Sequence, residues 1–123
     1  MKRILIIDDD DEIRLTLRKL LEHAGYKVEE ASDGKEGISR HRQKKADLII
    51  TDMIMPKKEG METIMELRTD FPHVKIIAMS GGGRIGPESY LQMAEAFGAL
   101  NIFKKPFNLE DMLGAVRELL EAE

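Results

Sequence analysis

Five side chains able to do polar chemistry each stand just past a short apolar run. Asp8 and Asp9 follow residues 4–7, Asp52 follows residues 48–50 and Thr51, Ser80 follows residues 74–79, and Lys105 comes soon after Ile102 and Phe103. The set is three acids, one hydroxyl and one amine. Two carboxylates roughly 4 Å apart repel by about 4 kcal/mol at an effective dielectric of about 20. Three acids brought together therefore need protonation or a cation. A hard divalent ion is the simpler answer. Mg²⁺, or Mn²⁺ in its stead, needs one or two carboxylates, completed by waters and phosphate oxygens. Lys105 supplies a further positive charge. A cation, a lysine, a hydroxyl and one more carboxylate suit phosphoryl transfer to that carboxylate.

The five residues can meet only if the apolar runs are strands that emerge on one rim. Residues 4–7 and 48–50 read as strands buried on both faces. Pro56 ends regular structure after the second, since it has no amide N–H to donate. Residues 27–31 are half polar and read as a strand nearer the sheet edge. Residues 74–79 hold a fourth strand, and Ile102 with Phe103 a short fifth. Between the strands the period becomes helical. Ile13, Leu17, Leu20, Leu21 and Ala24 form one stripe, ended by Gly25. Asp33 with Glu36 resembles a capping box for a weakly apolar helix whose only large aliphatic residue is Ile38. Met61, Ile64, Leu67 and Phe71 mark a third helix, and Tyr90, Met93, Ala94 and Phe97 a fourth, entered at Pro87. Leu109, Met112, Leu113, Val116, Leu119 and Leu120 give the clearest stripe, with Asn108 as N-cap. Five strands alternating with five helices predict a doubly wound α/β domain with a parallel sheet and helices on both faces. Ligand sites of such sheets lie at the carboxyl ends of the strands, where the five residues stand.

The 123 residues fit one domain, expected to span 1–123 with no output domain attached. No cysteine is present, which removes disulfides and thiolate chemistry. A net charge of −4 gives no electrostatic reason to bind nucleic acid. No apolar run approaches a membrane span. A cytoplasmic protein is the expectation. His23, His41 and His73 lack ligand spacing and read as surface or boundary residues. The glycines at 81–83 and 86 lack the Gly-Lys-Ser/Thr ending of a P-loop.

The motifs Ile-Ile-Asp8-Asp9-Asp10, Asp52-Met-Ile-Met-Pro56 with Gly60 beyond, Ser80 with Gly81, and Lys105-Pro106-Phe107 span nearly the whole chain. Together they resemble the receiver domain of two-component response regulators, of the stand-alone kind. The resemblance implies a flavodoxin-like sheet of strand order 2-1-3-4-5, an order that comes with the family and not from periodicity. It also implies a phosphorylation-dependent signalling switch, in which Asp52 accepts phosphate from a histidine kinase, a histidine phosphotransfer protein or a small phosphodonor. Asp8, Asp9, Asp52 and the main-chain carbonyl of Ile54 would serve Mg²⁺, with Asp8 acting through a water. Lys105 would contact the phosphoryl group and Ser80 would hydrogen-bond it. The Lys105–Pro106 peptide bond is expected to be cis. Such a protein turns over no substrate beyond its own phosphate.

Two features depart from the family's pattern. Ile102 stands where an aromatic switch residue is frequent, and the segment after Ser80 is long and glycine-rich. The switch is therefore expected to act through Ser80 and residues 81–86, with Ile102 repacking. The changed surface would include the helix through Tyr90 and Phe97, the last strand and the helix from Leu109, and would control a protein partner or pass phosphate along a phosphorelay. Two other functions compete: an Mg²⁺-dependent phosphohydrolase working through an aspartyl phosphate, and a scaffold that is never phosphorylated. The first needs a substrate pocket, and this tight chain has no insertion large enough to cap one. The second leaves the five rim residues without a purpose.

Overall fold

A computed structural model describes residues 1–53, 59–80 and 98–121. The strands are β1 (Arg3–Ile7), β2 (Lys27–Ala31), β3 (Leu48–Asp52), β4 (Lys75–Ser80) and β5 (Asn101–Lys104). The described helices are α1 (Asp11–His23), α2 (Gly34–Gln43), α3 (Glu59–Asp70) and α4 (Leu109–Glu121). The helix expected through Tyr90 and Phe97, and the glycine-rich segment before it, lie outside the described residues.

All five strands are parallel, in the order β2-β1-β3-β4-β5. Every residue of β3 is buried, as its unbroken apolar run requires, because sheet neighbours flank it and helices cover both faces. Full burial of one such isoleucine stabilises the fold by about 2–3 kcal/mol. Leu5, Ile7, Ile49, Ile76 and Ala78 face α2 and α3 on one side. Ile4, Ile6, Leu48, Ile50, Ile77 and Met79 face α1 and α4 on the other. Strand alternation divides the two sets. Phe103 packs with the second set, and Ile102 is 36% exposed at the edge strand.

Side-chain caps set the helix starts. Asp10 accepts from the backbone N–H of Glu12 and Ile13, and Asn108 from those of Glu110 and Asp111. Asp33 accepts from the Glu36 N–H at 2.8 Å. The return bond from Glu36 reaches the Ser32 N–H, one residue earlier than the expected reciprocal box. Past the other end of α1, Gly25 takes φ +98°, a conformation a side chain would strain.

The reading of His41 as a surface or boundary residue needs correction. Gly34, Gly37, Ile38 and His41 are all buried. His41 is 2% exposed; its Nδ1 accepts from the Ala46 N–H at 3.0 Å and its ring meets Phe71 edge-on. Gly37 lets α2 settle onto β1. A Cβ there would strike Ile7 Cδ1 and lie 2.7 Å from Ile7 Cγ1, and Ile7 is itself fully buried. Gly37→Ala would add about 1 kcal/mol of helix propensity. Overpacking of about 1–3 kcal/mol is set against it. The substitution is expected to lower the urea midpoint, and a raised midpoint would show that Ile7 can move aside.

Candidate functional site

Asp8 follows β1 directly. Its N–H donates to the Ala31 carbonyl of β2 at 3.1 Å, which carries the sheet pairing one residue past the strand. Its Oδ1 accepts from the Asp10 N–H at 2.9 Å. Asp52 closes β3 opposite Met79, next to Ser80, and Ile7 of β1 is registered with Thr51. Asp8 and Asp52 therefore end adjacent strands. Both are buried, at 0% and 3% exposure, while Asp9 is exposed. One carboxylate oxygen from each of Asp8, Asp9 and Asp52 lies within 4.8 Å of the other two.

Lys105 comes from the far edge of the sheet. Its N–H donates to the Ser80 carbonyl at 2.8 Å, and the peptide bond to Pro106 is cis, as the resemblance implied. Its Nζ lies 2.8 Å from Asp8 Oδ2 and 3.4 Å from Asp52 Oδ1. Lys104 is paired with Ser80 in the strand register and is exposed. The lysine at the acids is thus Lys105. Ser80 is fully buried at the end of β4, and its Oγ has no hydrogen-bond partner among the described residues. Ile54 lies outside the described residues.

The two ends of the Asp8–Lys105 pair respond differently to burial. Burial pushes the Asp8 carboxyl above the usual carboxylate range, against the opposing pull of Lys105 and the Asp10 N–H. Burial also disfavours the Lys105 cation, but its bonds and attraction to Asp8 and Asp52 outweigh that and raise its pKa. Asp8 has no access to solvent, whereas the Lys105 side chain keeps 16% of its surface exposed. One lysine thus leaves the acidic cluster short of positive charge. An all-oxygen donor set with one exposed member fits a hard divalent cation.

Arg14 was missed by sequence reasoning. It stands one turn into α1, and its Nη1 donates to the main-chain carbonyl of Asp8 at 2.6 Å. Only its helical position, three residues after Asp11, hinted that it would turn back towards the strand end.

Residues 4–117 match the sequence profile of the response regulator receiver domain. Response regulator MprA of Mycolicibacterium vanbaalenii is 33% identical over 118 residues, 96% of this chain and 50% of that protein. The chain thus spans about half the length of that curated relative. Chemotaxis protein CheY of Thermotoga maritima is 31% identical, with 96% of this chain and 97% of that protein aligned. The solved structure of chemotaxis protein CheY4 from Vibrio cholerae superposes with a TM-score of 0.85 at 32% identity, covering 98% of this chain and 99% of that one. The chain belongs to the receiver domain family of two-component response regulators. Receiver domains of this family are phosphorylation-dependent signalling switches. No described helix is long and apolar enough to cross a membrane.

Proposed function

We propose that this receiver domain accepts a phosphoryl group on Asp52 from a histidine kinase, a histidine phosphotransfer protein or a small phosphodonor. The observation that carries the reading is the convergence of Asp8, Asp9 and Asp52 with the Lys105 ammonium at the carboxyl end of the sheet. A carboxylate oxygen of Asp52 attacks phosphorus. The bond from phosphorus to the donor's nitrogen or oxygen breaks, and its electron pair leaves with the donor. The product is an acyl phosphate on Asp52. Asp8, Asp9 and Asp52 would hold Mg²⁺, with the Ile54 carbonyl as a further ligand. When bound, Mg²⁺ supplies charge that offsets the negative charge of the transferring group. Lys105 would share that task, and it holds the Asp8 and Asp52 carboxylates in place.

Ser80 supports the switch part of the reading. A buried hydroxyl without a partner, as Ser80 is among the described residues, is costly by about 1–3 kcal/mol. A phosphoryl group on the neighbouring strand end adds strong acceptors for it. Turning Ser80 toward them would move the chain that follows β4 and so alter a surface read by another protein. The buried Ser80 therefore favours a switch over a passive scaffold. Ile102, at the edge of the same sheet, has no ring to swing and would follow by repacking.

Acetyl phosphate with Mg²⁺ should raise the intact mass of the chain by one phosphate, and a chelator should prevent it. An unmodified mass under both conditions would remove the phosphoacceptor reading. Continuous phosphate release without an adduct would favour the hydrolase.

A further inference from the structure

We infer that Arg14 is a positioning residue for the acidic cluster, setting the direction of Asp9 through the main chain of Asp8. This rests on the metal-binding reading above. The Arg14 guanidinium, 14% exposed at its side chain, uses three faces. Nη1 donates to the Asp8 carbonyl at 2.6 Å, Nε donates to Glu30 Oε1 at 3.1 Å, and Nη2 pairs with Asp11. Glu30 belongs to β2 and is held by a second cation, with Arg18 Nη1 2.6 Å from its Oε2. The planar fork of arginine is thus braced against the sheet before it reaches the carbonyl.

That carbonyl has a particular place in the chain. The Asp8 oxygen belongs to the peptide plane that also carries the Asp9 N–H, and a trans peptide moves as one rigid unit. The near edge of Asp8 is already fixed, because its N–H donates to Ala31. Arg14 fixes the far edge. Together they place the Asp9 Cα, the point from which its carboxylate projects. Asp9 needs such support more than its neighbours do. Asp8 and Asp52 are locked by burial and by Lys105, whereas Asp9 is exposed. Partners of this outlying kind orient metal ligands without touching the metal. Arg14 reaches the carbonyl and not the carboxylate of Asp8, so its part is geometric.

The test combines Mg²⁺ titration calorimetry with amide NMR of the metal-free protein. Arg14→Met is expected to weaken Mg²⁺ binding about tenfold and to shift the Asp9 and Asp10 amides before any metal is added. Arg14→Lys keeps a charge but replaces the spread planar fork with a compact ammonium, so it should stay clearly weaker than wild type. Full rescue by lysine would overturn the inference in favour of simple charge. Glu30→Gln, which leaves Arg14 in place and only loosens its brace, should give a smaller loss in the same direction; it carries the test if Arg14→Met fails to fold. Wild-type Mg²⁺ affinity in Arg14→Met and Glu30→Gln would overturn the positioning role alone. If wild type itself binds no Mg²⁺, the metal reading falls instead, and unshifted Asp9 and Asp10 amides in the metal-free variants would still overturn the placement argued for Arg14.

Discussion

Replacing Asp52 with asparagine is expected to abolish phosphate incorporation from acetyl phosphate in the presence of Mg²⁺. An amide oxygen carries no charge to attack phosphorus, and the two remaining acids do not share Asp52's position. Asp8 is fully buried and hydrogen-bonded to Lys105. Asp9 is exposed and follows β1, not β3. The variant should still fold. The amide keeps the size of the side chain and relieves repulsion within a group of carboxylates that each bring one oxygen within 4.8 Å of the others. Intact mass spectrometry decides the matter, with circular dichroism as the control for folding. Stoichiometric labelling of Asp52→Asn at another residue would sink the assignment.

Removing the Lys105 charge should have the largest effect on stability. Lys105→Met leaves Asp8 buried among acids without its cation. Breaking a buried pair by deleting one partner costs roughly 3 kcal/mol. The loss should depend on pH in a definite sense. Asp8 already titrates above its ordinary value of 3.8, first because of burial, and Lys105 is the leading cause that holds it down. Without Lys105 the folded-state pKa rises further. A carboxyl whose folded pKa exceeds its unfolded one stabilises the fold only while protonated. Stability therefore falls as pH rises from the unfolded value through the folded one, and the whole penalty is present above both. In chelator-treated protein, the variant should be far weaker than wild type at neutral pH and should close much of the gap in mild acid. Urea melts at several pH values would check this. A gap that is the same at every pH would mean the loss comes from lost packing of the lysine stem.

The strands and the rim residues were legible because each rests on a local pattern. Buried parallel strands read as unbroken apolar runs, and a polar residue after such a run lies at a strand end. Lys105 could be told from Lys104 because one adjoins Pro106 and strand neighbours alternate. His41 was misread because its burial follows from Gly37, which lets α2 approach Ile7 of β1, and from the Ala46 N–H that its ring satisfies. Nothing in the helical period marks a histidine as the acceptor for a loop amide. Arg14 escaped for a related reason. Its partner is a main-chain carbonyl, which every residue possesses, so the sequence carries no sign of which one will be used. Arg68 is a second case: it donates to the carbonyls of Pro72, Val74 and Gly98, tying α3 to two later segments.

Asp8 and Lys105 are 97 positions apart in the chain, and between their strands in the sheet lie β3 and β4. The acids come together when β3 pairs with β1. Their ammonium arrives only when β5 has paired with β4 and β4 with β3. Chemical competence in this domain is therefore a property of the finished topology and of no fragment of it. A chain cut short of β5 would hold all three carboxylates and none of the charge that reconciles them. The contact that completes the site also has among the greatest loop lengths in the molecule, the kind of contact that slows folding. The Asp8–Lys105 bond thus serves as an end-of-assembly marker, formed when the last strand is in register.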